Sequence, residues 1–364
     1  MSDFINQKFT NRYYDLNWRE ILIYFSFILI CCRVFISWFN NDLDSSIRYT
    51  ITIPIFLSFN IKKWNKFKIF LILFFLISLL ARRLLVIWSM VALGYLIIEN
   101  KISLRNLALI GIIVVFIELI ILFELNAFSI VQNQGYLYLK SNKILYDLGT
   151  GNTNRTGLIF IFLIFYLYIV LYSKAKFSFL IISSIIVFIT FEITGCRTLL
   201  YSVIILEILA IGYFNNLFKS WMKWPIATIP IIAFCGTFYL AANILDNTDI
   251  NSAASGRLNF IIKFTQEYTT KEWLVGAPTE LDEPLDSSYA TLITKGGIFL
   301  ASFLCLSFII TVCKDFKLIK PLLPVLIAIL IAGALESFLA NLNGITVIFW
   351  TICVQAYLKE KLII

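Results

Sequence analysis

The chain is 364 residues long, 60% hydrophobic and only 14% charged, with a mean hydropathy of +0.87 and a net charge of +8. Soluble domains run about 45–50% apolar and about 25% charged, so the composition excludes a soluble enzyme and predicts an all-α polytopic integral membrane protein. The cation surplus calls for no nucleic acid, because lysine in loops facing anionic cytoplasmic lipid accounts for it.

The first 18 residues are polar, and the apolar run behind them lacks a small-residue cleavage site, so no cleavable signal peptide is expected. A spanning helix needs about 20 apolar residues. Apolar runs predict about twelve transmembrane helices, near 20–39, 47–61, 67–81, 83–98, 105–123, 157–173, 177–193, 198–213, 225–242, 289–311, 321–337 and 343–358. Together they make one transmembrane domain, 1–364. The second run is short and holds Pro54, and the third and fourth meet at Arg82-Arg83 as a tight hairpin or one long broken helix.

Two connecting loops are long. The first, 124–156, is polar and ends in Gly149-Thr150-Gly151-Asn152-Thr153-Asn154-Arg155. The second, 243–288, holds eight of the 22 acids. Within it Ser255 reads as the N-cap of a helix to about Glu272, with Leu258, Ile261, Ile262, Thr265 and Tyr268 on one face and Trp273 just beyond its end. A short amphipathic helix of this kind lies on a leaflet or covers a cavity.

Charge sets the orientation. With the N-terminus inside, inner segments hold 18 Lys and Arg and outer segments 11, with Arg33 inside the first helix. Both termini are therefore expected in the cytoplasm and both long loops outside. The cations also sort by type: six of ten arginines fall outside, and fifteen of twenty lysines inside.

Histidine is absent, which removes the imidazole base and His-ligated metal, and the seven cysteines read as small apolar helix residues. No metal and no cofactor are expected. Three outer arginines stand in small-polar clusters ahead of helical runs: Arg155 in Asn154-Arg155-Thr156-Gly157, Arg197 in Thr194-Gly195-Cys196-Arg197-Thr198, and Arg257 in Ser255-Gly256-Arg257. A cation there opposes both the helix dipole and the topological bias. Free N–H groups and a guanidinium fork together suit a phosphate, whereas the plainer reading is an arginine snorkelling to the interface. Glu118, Glu192, Glu207 and Glu336 lie in or beside apolar runs, where a carboxylate is paired, protonated or lines a wet cavity. Glu192 pairing with Arg197, and Asp286 acting only as an N-cap, are the plainer readings of those two. Glycosyl transfer from a lipid diphosphate needs cations for the departing diphosphate and a carboxylate base for the attacking hydroxyl. Asp286, Glu336, Glu192 and Asp147 are the candidates for that base.

The strings ITGCRTLL, SGRLNFI, EWLVG and LDSSYATLITKGG, in this order, resemble the motifs of Wzy-type bacterial O-antigen and capsular (exo)polysaccharide polymerases. The resemblance covers roughly residues 145–345; the first 145 match only in hydropathy. It implies a fold similar to GT-C-type membrane glycosyltransferases, with a long outer loop carrying short amphipathic helices. It implies a metal-independent polymerase of undecaprenyl-diphosphate-linked oligosaccharide repeat units, working on the outer face of the bacterial cytoplasmic membrane. The growing glycan would pass to the next lipid-linked unit with release of undecaprenyl diphosphate. Partners would be that lipid, the bilayer, and the chain-length regulator and flippase of the same pathway. Arg197 and Arg257 take the positions of the motif arginines, which implies a role in catalysis and in holding the diphosphate. Thr198, beside the first, and Tyr289 of the loop-closing motif are assigned to the diphosphate with them, and Asp286 of that motif to catalysis. Arg155 is assigned to the diphosphate by position and chemistry, and Glu336 to catalysis by its depth. Cys196 stands where serine is commoner. Related ligases need a loop histidine, which this chain lacks. The rival readings are a lipid-linked oligosaccharide flippase or other secondary carrier, and a non-catalytic scaffold of an export complex.

Overall fold

The computed structural model describes residues 17–39, 41–60, 64–81, 84–131, 135–138, 143–243, 257–277, 287–334, 336–358 and 362–364. Its elements in chain order are helices α1 (Trp18–Ile36), α2 (Asn41–Thr50), α3 (Thr52–Leu57), α4 (Lys66–Leu80), α5 (Leu84–Glu99) and α6 (Leu104–Ala127), then strands β1 (Gly135–Tyr138) and β2 (Lys143–Tyr146). Helices α7 (Thr153–Leu171), α8 (Lys176–Thr194), α9 (Arg197–Phe214), α10 (Lys223–Ala242), α11 (Arg257–Glu267), α12 (Thr270–Val275), α13 (Ser288–Ile319), α14 (Leu323–Ala332) and α15 (Gly344–Val354) follow.

The chain is an all-α membrane-embedded protein. Six stretches among the described residues are long and apolar enough to cross a membrane: Leu104–Ala127, Thr153–Leu171, Lys176–Thr194, Arg197–Phe214, Ser220–Ala242 and Ser288–Ala332. The remaining apolar runs are shorter or interrupted, for physical reasons visible in the sequence. α1 carries Arg19, Glu20 and Arg33. The run holding Pro54 splits into α2 and α3. α5 and the helical run Gly344–Tyr357 are apolar but short; α5, with 16 residues, rises about 24 Å against a hydrocarbon core of about 30 Å. Protein surrounds both, so their ends need not reach the bilayer surface. Arg82 and Arg83 lie outside the described residues.

α5 and α15 form the centre of the bundle, buried along almost their whole length. They meet at Gly94, where a Cβ would stand 2.9 Å from the Cα of Thr351. Gly111 of α6 likewise admits the Tyr166 ring of α7. Small residues at such crossings let backbones approach where water provides no hydrophobic drive. α8, α9 and α10 lie outermost and turn rows of isoleucine and phenylalanine outward, among them Ile181, Phe188, Ile208 and Ile232.

The inner segment Lys62 to Lys68 is short and strongly basic, as topology-setting charge should be, but Lys68 does more than set topology. It is 1% exposed, and its Nζ lies 3.1 Å from Glu99 Oε1 and donates to the Asn60 carbonyl at 2.8 Å. Tyr95 completes the network: its hydroxyl donates to Glu99 at 3.0 Å and accepts from Asn65 at 2.9 Å. Removing one partner of a buried pair costs about 3–5 kcal/mol, whereas replacing both by apolar groups is often neutral. Glu99→Gln should therefore lower the unfolding midpoint in detergent clearly, and Lys68→Met with Glu99→Leu should recover most of the loss. Near this pair's sequence neighbourhood, the amide of Leu104 donates to Ile363 O at 2.9 Å, satisfying one of the unpaired donors at the start of α6.

The 124–156 loop contains an antiparallel hairpin that hydropathy does not reveal, with Gly135 opposite Tyr146 and Tyr138 opposite Lys143. In the second loop the single expected helix is two. α11 ends at Glu267, and Thr269 caps α12 by a reciprocal capping box with Glu272. The expected apolar face packs inward: Leu258 and Ile261 are buried with Ala241 and Ala290, and Trp273 lies against Phe238 and Tyr268. Ser255 lies outside the described residues.

α13 is helical only in pieces. Gly296 and Gly297 leave helical geometry, with Gly297 at φ 64° and ψ −165°. α12 docks into that notch, where the Ala277 amide donates to Thr294 O at 3.0 Å. A second interruption falls at Asp315, and the turn Lys320–Leu322, containing Pro321, leads into α14. Between α14 and α15 the described residues form no α-helix, only a 3-10 turn, Ser337–Ala340.

Candidate functional site

Hydrogen-bonded polar groups mark the starts of α7, α9 and α13. The approach to α7 is a tight turn, with Leu148, Gly149 and Gly151 at φ 51°, 85° and 74°. Asn126 fastens it to α6 by donating to Leu148 O at 2.8 Å. The Asp147 carbonyl accepts from the hydroxyls of Thr150 and Thr156, which themselves lie 2.9 Å apart. The Asp147 carboxylate accepts from the Gly149 amide at 2.9 Å, so one oxygen of this candidate base serves the turn. Asn152 caps α7 by accepting from the Asn154 amide. Arg155 follows on the first turn, exposed, with Nη1 3.4 Å from Thr150 O.

Gly195, at φ 63°, ends α8 and turns the chain into α9. Its Thr194 neighbour accepts from the Cys196 amide at 3.2 Å. The starts of α7 and α9 touch: a Cβ on Gly157 would lie 2.3 Å from Cys196 Sγ. Arg155 stands two residues before that contact and Arg197 one residue after it. Two arginines from separate motifs thus come to adjoining helix ends, each beside threonine hydroxyls.

Thr198 makes the next connection. Its Oγ1 donates to Glu336 Oε1 at 3.0 Å, and Glu336 is 6% exposed. The Glu336 carbonyl accepts from the amide of Ser288 at 3.0 Å and also from the Ser288 hydroxyl. That hydroxyl in turn accepts from the Leu339 amide at 3.0 Å. The TGCRT and SSY strings therefore converge on one glutamate. Tyr289 is 1% exposed, and its hydroxyl donates to Leu330 O at 2.7 Å, a contact that ties α13 to α14. Arg257 opens α11, whose Leu258 packs with Ala290 two residues beyond Ser288. Asp286 lies outside the described residues. Glu192 is exposed on the last turn of α8.

Two further cations belong to this region and escape a reading by motif. Lys295 donates from Nζ to Ala340 O at 2.6 Å and to Asn341 Oδ1 at 3.0 Å. Arg33, buried in α1, donates to Leu342 O at 2.9 Å. Both brace the stretch between α14 and α15 by donating to carbonyls at the end of its 3-10 turn, Ser337–Ala340, or just beyond it. The available signal is depth: each is an isolated cation within an apolar run, a placement that marks function or pairing in a membrane. Asn343 then caps α15, accepting from Thr346 N at 2.9 Å.

The other acids at membrane depth make other contacts. Glu118 is 7% exposed beside Cys31, Tyr166 and Gly344, and its Oε1 has no hydrogen-bond partner among the described residues. Glu207 accepts from Ser183 and Ser184 of α8, the latter at 3.0 Å. Compared with protein-family models, curated proteins and solved structures, the chain matches none.

Proposed function

We propose that this chain polymerises undecaprenyl-diphosphate-linked oligosaccharide repeat units at the outer face of a bacterial cytoplasmic membrane. The observation that carries the reading is the convergence on Glu336 of Thr198, beside Arg197, and of Ser288, beside Tyr289. The hydroxyl of the acceptor's end sugar attacks the anomeric carbon of the growing chain. The bond to the diphosphate oxygen breaks, and undecaprenyl diphosphate leaves. Arg155, Arg197 and Arg257 carry the charge gathering on that leaving group. A carboxylate takes the acceptor's proton; Glu336 has the placement for this, with Asp286 as its rival from the loop-closing motif. The GT-C-like architecture and the twelve-helix topology are part of the same proposal.

The test is synthesis by purified protein supplied with lipid-diphosphate oligosaccharide. Polymer is expected in excess chelator, because arginine needs no divalent ion to hold a diphosphate. Polymer that appears only on restoring magnesium or manganese would overturn the arginine-centred mechanism. Orientation has its own check: a cysteine at position 282 in a Cys-free background should react with an impermeant reagent on intact cells. Labelling only after rupture would place the large loop, and the chemistry with it, on the other side.

A second reading, a lipid-linked oligosaccharide flippase or other secondary carrier, draws on one feature. α14 and α15 are separated by a segment that holds only a short 3-10 turn, Ser337–Ala340, and is braced by Arg33 and Lys295, and broken helices at membrane depth are how many carriers build substrate sites. Proteoliposomes that move lipid-linked oligosaccharide between leaflets without lengthening it would favour this reading.

A further inference from the structure

An apolar groove runs between α7 and α8 at the arginine end of the bundle, with a volume of about 190 Å³. Leu148, Phe160, Ile186, Ile189, Thr190 and Ile193 line it. The hydroxyl of Thr194, at the groove's margin, is engaged within its own helix, donating to Thr190 O at 2.8 Å. Ile189 is exposed, so the groove opens sideways to where lipid would lie.

Past the Leu148 and Thr194 end of the groove, the chain on each side leads to an arginine. On one side Leu148 roofs it, and two residues further Thr150 O lies 3.4 Å from Arg155 Nη1. On the other side Thr194 leads through Gly195 and Cys196 to Arg197. The two helix starts abut at Gly157 and Cys196, so the helix ends that carry both arginines meet just beyond the Leu148 and Thr194 end of the groove. A ligand that fits this outline has an apolar chain and a multiply charged anionic head. A zwitterionic phospholipid matches the groove but not its mouth.

We propose that this groove holds the head-proximal isoprene units of a polyprenyl diphosphate whose diphosphate lies at Arg155 and Arg197, an assignment that rests on reading that end as a lipid-diphosphate site. The wall from Ile186 to Thr194 rises about 12 Å, the length of roughly two to three isoprene units. The groove thus grips the start of the chain and leaves the remainder in the bilayer. It gives the tail a fixed exit direction, which aligns the scissile bond with the carboxylate side of the site.

The experiment uses the intact chain in phosphatidylcholine nanodiscs, with geranylgeranyl diphosphate and inorganic diphosphate as probes. Ile189→Trp fills the groove from its exposed side and should weaken geranylgeranyl diphosphate about tenfold or more, leaving inorganic diphosphate unchanged. Arg155→Ala and Arg197→Ala should weaken both. A photoreactive geranylgeranyl diphosphate on the unaltered chain should label residues within 148–160 and 186–194. Equal binding by Ile189→Trp, or labelling confined to other helices, would overturn the groove while leaving the arginine site standing. Inorganic diphosphate binding that ignores both arginine substitutions would instead overturn the diphosphate reading. A photoreactive phosphatidylglycerol that labels the same residues and is not displaced by geranylgeranyl diphosphate would assign the groove to bulk lipid.

Discussion

Glu336→Gln should reduce the polymerisation rate by about 10²–10⁴, the usual contribution of a positioned general base. The amide keeps the size of the side chain and can still accept from Thr198, so the fold should persist at normal protein level. Thr198→Val is the companion change. It preserves shape but removes the hydroxyl that donates to Glu336 Oε1 at 3.0 Å. A hydrogen bond to a charged group contributes about 1.5–3 kcal/mol, which corresponds to a loss of roughly tenfold or more if the bond holds the carboxylate in its working orientation. Initial rates with purified enzyme and saturating donor separate the two effects. A full rate for Glu336→Gln would remove it as the base and direct attention to Asp286, then to Glu192 and Asp147.

Gly297→Ala should undock the large loop. A Cβ at this position would stand 2.1 Å from Leu274 O and 2.2 Å from Leu274 C. Those are backbone atoms of α12, which cannot rotate aside as a side-chain tip can. The backbone conformation, φ 64° and ψ −165°, is itself in a region essentially reserved for glycine and costs other residues about 1–3 kcal/mol. Gly276 is the reciprocal contact, with a Cβ only 2.6 Å from Thr294 O. Limited proteolysis is the measurement. Cleavage within 270–277 should become about tenfold faster or more in Gly297→Ala, while the unfolding midpoint of the bundle changes little. Unchanged cleavage would mean that α12 is held by its aromatic contacts with Phe238 alone. The same substitution should depress polymerisation, because α11, which begins with Arg257, is joined to α12 by only two residues.

Hydropathy reveals the helices of this chain well where they are long and lipid-facing. α6 through α10 are found within a few residues of the expected runs because every such residue must satisfy both the backbone and the bilayer. It fails where protein replaces lipid as the surroundings. The segment 333–343 is read from sequence as the end of one span and the start of the next. The α-helix in fact stops at Ala332, five residues before the expected end of that run, and the stretch up to α15 is held by Lys295, Arg33 and Ser288, three donors from elements distant in sequence. The buried pairing of Lys68 is hidden for the same reason, since its partner Glu99 lies on another helix. The hairpin at 135–146 escapes because four-residue strands carry too little alternation to register. At the candidate site, the residue types of the arginine motifs are legible, and so is Glu336 as an acid at depth. The link between them is not, because no spacing rule relates positions 198, 288 and 336.

The bond from Arg33 to Leu342 O joins residues 309 positions apart. In a chain made from its N-terminus, α1 is complete long before that carbonyl exists. At about 5–20 residues per second the wait is on the order of tens of seconds. Throughout it a guanidinium sits near one end of an apolar helix, reaching toward the interface or held at the insertion machinery. Biogenesis therefore has a late step that synthesis alone does not complete: the return of α1 to the last part of the chain. A quality-control protease that recognises charge in an unassembled helix would find its target here, and chains truncated before 342 should be cleared fastest.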